Sequence, residues 1–310
     1  MAEALDVDAD HIVFVSGGTE ANNIALLGSG DLTLPVLCAP VEHPSVIQSA
    51  EQRGVTLWDV DETGSAVVAR PANAIGMIAL VHGQNEVGTL QPVDAACELA
   101  NELRVPLHID ASQTLGRCPV GDVVAAARSI TFSTHKANGL RGMAVLVDKN
   151  TSTLPRFFGG GQQRNRRPGT ESPSLAAATA LALELAITEQ KERAKRMQLA
   201  RDAFASELKC DDVRALTPSN SLPNTIMFLF EGVDGRELLP ALDMAGVEAS
   251  QGSACSSGSP TPPPVLAAMG LSERVARSCV RFSFASQTTP ENAREGGRVV
   301  NGVLLRMQSR

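Results

Sequence analysis

The sequence lacks any excess of positive charge: 27 Lys and Arg against 34 Asp and Glu leave a formal net charge of −7 and a pI near 5.3. No broad basic surface is available to neutralise nucleic-acid phosphates or an anionic membrane, which argues against both as main partners. Paired cysteines are missing too. The six thiols, at 38, 97, 118, 210, 255 and 279, include no CxxC and no close pair, so neither a disulfide framework nor a zinc knuckle is encoded and a reducing compartment fits. The N-terminal MAEALDVDAD is acidic and has no apolar core, unlike a secretory signal. The longest apolar run, Leu175 to Leu183, is interrupted by Thr179 and stopped by Glu184, well short of the roughly 20 residues of a membrane span. Tyrosine is absent, an unusual lack for 310 residues, and no repeat or low-complexity tract occurs beyond the proline-rich loop SPTPPP at 259–264. These absences point to a soluble, cytoplasmic protein.

What is present suffices for a folded enzyme. Hydrophobic residues make up 43% and charged residues 20%, and 310 residues suggest two domains. From residue 12 to about 148, short β-branched runs alternate with amphipathic segments, the pattern of βα units in a mainly parallel sheet. Strands are expected at Ile12–Ser16, Val36–Ala39, Val55–Val60, Ile75–Val81, Leu107–Asp110, Ser129–Ser133 and Met143–Val147, and a helix from Pro92 to Leu103. A long helix is expected from about Ser174 toward Leu208, its charged run EQKERAKR being a solvated face between domains. The remainder reads as a smaller α+β domain, with strands at Thr225–Phe230, Val247–Ser250 and Val280–Ala285. Helices follow near Gly235–Ala245, which Pro240 should kink or split, and Pro290–Met307.

Three segments can carry chemistry. SGGTEANN at 16–23 follows a strand and opens a helix, so backbone N–H groups around Gly18 and Thr19 face outward where an anion can bind; a plain tight turn is the alternative. It is neither GxGxxG nor a Walker loop, so dinucleotides and ATP are not indicated. HIDASQT at 108–114 ends an apolar strand in Asp110, where open α/β sheets place their ligands. An acid there either holds a ring nitrogen protonated or caps a helix. FSTHKANG at 132–139 is a third strand end, joining Ser133, His135 and Lys136, and its lysine is either a surface residue or a Schiff-base lysine.

Taken together, these segments resemble the pyridoxal phosphate site of the fold type I enzymes, specifically the class V aminotransferases and within them the cysteine desulfurases. The resemblance extends to VEHPSV with His43, GQNEVGTLQP with Asn85, GGGQQRNRRPGT with Thr170, SQGSACSSGS with Cys255 and SCVRFSF with Arg281. It implies an α/β fold type I transferase, with a large cofactor-binding domain over 1–186 and a smaller α+β domain over 187–310 that carries the cysteine loop. By resemblance, Lys136 is the lysine that bonds the cofactor and Asp110 the partner of its ring nitrogen. His43 stacks on the ring, while Asn85 and Gln113 steady its substituents. Gly18, Thr19, Ser133 and His135 hold the phosphate, with Thr170 contributed from a neighbouring subunit of a homodimer. Arg281, with Asn85, binds the substrate carboxylate, a task suited to the planar guanidinium. Cys255 is the nucleophile that takes sulfur from L-cysteine, leaving L-alanine and a persulfide destined for acceptor or iron–sulfur scaffold proteins.

A selenocysteine lyase, another class V aminotransferase and a truncated, non-catalytic paralogue remain alternatives. Family members carry a further N-terminal segment ahead of the point where this chain begins, so an internal start, a fragment and a genuine short form all stay open. His11, His82 and His108 match no role in the family pattern and read as structural, and the other five cysteines read as small packed residues.

Overall fold

The apolar runs of the first half assemble into a seven-stranded sheet, seen in a computed structural model that describes residues 1–150, 152–208, 211–252 and 262–308. The described chain divides into two units. The first, residues 1–60, 66–83 and 91–190, opens with α1 (Ala2–Leu5), β1 (Ile12–Val15), α2 (Gly18–Gly28), β2 (Val36–Cys38), α3 (Pro44–Glu51) and β3 (Val55–Leu57). A small hairpin of β4 (Asp59–Val60) and β5 (Ala66–Val67) follows, then β6 (Met77–Val81), α4 (Val93–Leu103), β7 (Leu107–Asp110), α5 (Gly121–Ala126), β8 (Ser129–Phe132), β9 (Ala144–Asp148) and α6 (Pro173–Thr188).

The sheet order is β1-β9-β8-β7-β6-β2-β3. Neighbours from β3 through β8 are parallel, whereas β9 is antiparallel to both β8 and β1. β1 therefore points the same way as the parallel set, and the ends of β1, β2, β6, β7 and β8 lie along one edge. That edge is where open α/β sheets collect their ligands. One face is built by alternate residues (Val13 and Val15, Val36 and Cys38, Met77 and Ala79, Ala144 and Leu146) packed on Ala21, Ile24 and Ala25 of α2 and Val46 and Ala50 of α3. Period-2 strands against a period-3.6 helix face is the expected solution for such a layer.

The second unit, residues 61–65, 84–90 and 191–310, has the antiparallel order β10-β11-β12. Its elements are α7 (Gln190–Ala205, starting one residue before the division), β10 (Val213–Ala215), β11 (Thr225–Phe230), α8 (Gly235–Met244), α9 (Pro264–Ala268), α10 (Glu273–Ala276), β12 (Cys279–Ser283) and α11 (Pro290–Gln308). Its core is aromatic, with Phe204, Phe228, Phe230, Phe282 and Phe284 in mutual ring contact among Leu238, Leu242, Val300 and Leu304.

Several expectations need correction. The helix expected over 174–208 is two helices, α6 and α7, divided at Glu189, whose backbone leaves the helical region. The run EQKERAKR lies at the start of α7, where Lys191, Glu192, Lys195 and Arg196 are exposed and Arg196 pairs with Glu192 one turn away. The strand expected at 247–250 is a single bridge, Ser250 exchanging backbone hydrogen bonds with Arg281. Pro240 does not split α8: its ring is exposed, and so is Arg236, whose carbonyl loses its helical partner there, so water can satisfy that oxygen. Pro92 caps α4 from outside, Val93 being the first helical residue. Val55–Val60 is two short strands, β3 and β4.

Candidate active site

In the first unit three strand ends supply the site. β1 leads through Ser16 and Gly17 into α2, whose first residue, Gly18, lies against β8: a Cβ on Gly18 would come within 2.4 Å of Ser133 Oγ and 3.3 Å of Ser112 Oγ. Any side chain at Gly18 would have to displace the Ser133 hydroxyl. The two serine hydroxyls are hydrogen-bonded at 3.0 Å, so a helix N-terminus and a pair of hydroxyls converge on one spot. Free N–H groups, hydroxyls and a helix dipole suit a phosphate. Thr19 and His135 are exposed at its rim; burial, Lys136 and Arg141 all lower the His135 pKa, which favours the neutral ring.

β7 ends in Asp110, 5% exposed. Burial alone would raise its pKa, but the Lys136 charge, hydrogen bonds from Ser112 and the Asn22 amide together hold the carboxyl below its ordinary value. Oδ1 accepts from Ser112 N at 2.9 Å and Oδ2 from Asn22 Nδ2 at 2.9 Å. The group is a carboxylate at neutral pH, and such an anion can keep a ring nitrogen protonated. Lys136 follows β8 and is half-buried; Arg117 ties its carbonyl (2.7 Å) to the carbonyl (2.6 Å) and side-chain oxygen (3.0 Å) of Gln113. His43, the N-cap of α3, is half-buried. Burial lowers its pKa, Asp110 acting upward and Lys136 downward. The first unit thus brings Gly18, His43, Asp110, Gln113, Ser133 and Lys136 together, with Thr19 and His135 at the rim.

Thr170 lies exposed in the loop ahead of α6. The arginines of that loop are spoken for internally: Arg164 pairs with Asp10, Arg167 with Glu20 at 2.8 Å, and the buried Arg166 with Asp148. Gln163 closes the sheet edge, its side-chain amide accepting from Phe14 N at 2.6 Å and donating to Phe14 O at 2.9 Å, as an eighth strand would.

The second unit brings together Asn85 and Arg281. Arg281, on β12, donates from Nη1 to the Asn85 carbonyl at 2.8 Å, while its buried Nε has no partner among the described residues. A largely desolvated guanidinium with a free N–H suits a carboxylate ligand. Cys255 lies outside the described residues.

A model of the aminotransferase class-V family matches residues 1–295. The chain belongs to the class-V aminotransferase family. This class-V chain is 35% identical over 309 residues to the cysteine desulfurase IscS of Dictyoglomus turgidum, a match spanning 94% of this chain and 78% of the relative. A solved NifS-like protein superposes with a TM-score of 0.85 at 26% identity, covering 100% of this chain and 86% of the other. The structure of SspA in complex with cysteine superposes with a TM-score of 0.75 at 27% identity over 92% of this chain and 84% of that one. The fold is therefore the fold type I arrangement expected from the sequence, and pyridoxal 5'-phosphate is the cofactor of the class-V enzymes to which this chain belongs. The residues present fit that cofactor: a carboxylate for its ring nitrogen, a side-chain-free cradle with hydroxyls for its phosphate, and an amine whose charge acts on that carboxylate.

Sequence reasoning passed over four residues in this class-V site. Asn22, Ser45 and Ser112 complete the hydrogen bonding of Asp110, His43 and Ser133, and Glu42 is buried with Oε1 accepting from Val81 N at 2.9 Å. Burial, reinforced by Asp110, pushes the Glu42 carboxyl well above its ordinary value, which favours its neutral form. The signal for Asn22 was present in the helix period, which puts it on the same face as Gly18 four residues earlier. His108, read as structural, is joined to the site through Asn22.

Proposed function

We propose that the protein is a pyridoxal phosphate-dependent cysteine desulfurase that converts L-cysteine to L-alanine and passes the sulfur on as an enzyme persulfide. The observation that carries this reading is the Asp110 carboxylate set in the field of Lys136 and beside His43, in a chain 35% identical to a named cysteine desulfurase. When bound, the cofactor supplies an electron sink for negative charge developing at the substrate Cα. Asp110 keeps the cofactor's ring nitrogen protonated, which is what makes the sink effective. Lys136 is the amine that would carry the cofactor and move the proton at the substrate Cα, and His43 would be the residue to pack on its ring. Ser133, Gly18, Thr19 and His135 hold the phosphate, with Thr170 supplied by a second copy of the chain. Gln113 and Asn85 steady the ring substituents, and Arg281 orients the substrate carboxylate. The sulfur chemistry falls to Cys255: its thiolate attacks the substrate sulfur, an S–S bond forms, the Cβ–S bond breaks, and the carbon skeleton leaves as alanine after protonation.

The larger assembly belongs to the same reading. A homodimer handing sulfur to an acceptor or iron–sulfur scaffold protein in the cytoplasm suits four described cysteines that are all free thiols. No helix among the described residues is long and apolar enough to cross a membrane. In domain terms, 1–186 serves as the cofactor-binding part and 187–310 as the part bearing the cysteine loop. The test is Cys255→Ser. The variant is expected to bind cofactor and respond spectroscopically to L-cysteine, yet to release almost no alanine and to carry no persulfide by intact mass. Wild-type sulfide production from Cys255→Ser would instead assign the chain to the lyase or transaminase branch.

A further inference from the structure

Asn22 is 1% exposed on α2, and every polar atom of its side chain is used. Oδ1 lies 3.0 Å from His108 Nε2, and Nδ2 lies 2.9 Å from Asp110 Oδ2 and 2.8 Å from Ser45 Oγ. The reverse amide orientation would aim an oxygen at a carboxylate, so the two N–H groups must face Asp110 and Ser45. This choice propagates. Because Asn22 Oδ1 can only accept, His108 Nε2 carries a proton and donates to it; burial keeps that ring neutral, so Nδ1 accepts from Ser129 Oγ at 2.8 Å. On the other side, Ser45 N donates to His43 Nδ1 at 3.1 Å, which makes that nitrogen an acceptor and puts the His43 proton on Nε2. Ser45 Oγ, having accepted from Asn22, donates its own proton to the same Nδ1 at 2.8 Å. Every hydrogen bond therefore points one way, from Ser129 through His108, Asn22 and Ser45 to His43, with a branch from Asn22 to Asp110.

We infer that Asn22 is a positioning residue that sets two site groups at once, giving one amide hydrogen to the Asp110 carboxylate and the other to Ser45, which fixes His43 with its proton on Nε2. The inference rests on the reading of Asp110 and His43 as cofactor contacts, but the hydrogen-bond chain exists in the protein alone and can be read there. A one-directional chain leaves no proton to exchange between the two arms, so Asp110 is committed as an acceptor while His43 offers an N–H.

The experiment is nitrogen-15 NMR of the histidine rings in cofactor-free protein, with His43 assigned through His43→Gln, paired with a pyridoxal phosphate titration followed by visible absorbance. Wild type is expected to show His43 protonated on Nε2. Ser45→Ala removes the hydroxyl donor to His43 Nδ1 and keeps the backbone one, so it is expected to shift the His43 ring-nitrogen signals with the proton still on Nε2 and with less effect on cofactor affinity than a change at Asn22. Asn22→Ala is expected to shift the His43 ring signals by freeing the Ser45 hydroxyl and also to weaken cofactor binding roughly 10–100-fold, the effect of removing one charge-assisted hydrogen bond. A merely structural asparagine would lower thermal stability and leave the His43 signals unchanged in both variants, which overturns the inference; so does an equal loss of affinity in both. If Asn22→Ala does not fold, Asn22→Ser, read by the same ring signals and cofactor titration, decides in its place. Cofactor fixed by borohydride on a lysine other than Lys136 would sink the site reading, while the ring signals would still decide the role of Asn22.

Discussion

The two units solve packing in opposite ways. The face of the first that carries α2 is built from Val, Ala, Ile and Leu with one Met and one Cys, and it has no aromatic ring; the second gathers five of the nine phenylalanines into one cluster. Small residues let α2 approach the ends of β7 and β8 closely enough for Gly18 to face Ser133 and for Asn22 to reach Asp110. That proximity is what a buried polar network requires, since each donor must sit within about 3 Å of its acceptor. Large rings cannot approach so closely, but they bury much apolar area per residue and hold a small sheet rigid. The second unit therefore presents a half-buried cation, Arg281, on a stiff strand, whereas the first presents a connected set of dipoles and charges.

The contrast can be broken most severely at Lys136. Lys136→Ala should lower alanine release by at least roughly 10³-fold and abolish borohydride-fixable cofactor, with little change in thermal stability. Retention of the fixable linkage, mapped by peptide mass to another lysine, would remove Lys136 from the site. Next in size is the aromatic unit: Phe282→Ala should cost about 3–5 kcal/mol of stability, read by urea unfolding, because it opens a cavity among three other rings. If it instead changed cofactor affinity and left the unfolding midpoint alone, the division of labour between the units would be wrong.

Two smaller effects sharpen the comparison. His82 is buried and its pKa is lowered to about 4, by burial above all. Its folded pKa lies below the unfolded value of about 6.5, so the unfolded chain takes up a proton first; stability should fall as pH drops from about 6.5 to 4, by roughly 3 kcal/mol from this ring. His82→Gln should flatten that acid slope in a series of thermal melts, and an unchanged slope would show that the ring is not responsible. Arg281→Lys keeps the charge and loses the fork, so KM for cysteine should rise roughly 10-fold while cofactor occupancy stays the same. A fall in occupancy with unaltered KM would contradict the carboxylate role.

Much of this was legible in the chain. Ile109 and Ile130, each followed within three residues by a polar strand end, mark β7 and β8 and place Asp110 and Ser133 at one edge, because a parallel sheet aligns its carboxyl ends whatever the loops do. Other features were not. Glu189, a residue compatible with a helix, nonetheless divides α6 from α7, and Val247–Ala249 failed to pair although Val247 and Ala249 alternate with Glu248 as in a half-buried strand. In both cases tertiary packing overrode local propensity.

Sequence by itself determined the fold class, the order of the strand-end motifs and the chemical types of the site residues, since apolar periodicity and residue chemistry are local properties. Tertiary structure alone decided that Asn22 turns its amide toward Asp110, that Glu42 is buried where its pKa is pushed up, and that the arginines of 164–167 face acids within their own unit rather than an outside anion. Those outcomes depend on which groups meet across long stretches of sequence, as with Asn22 and Asp110 (88 apart) and Glu42 and Val81 (39 apart). Charge state and hydrogen-bond direction are set by such distant neighbours, and no local window of sequence contains them.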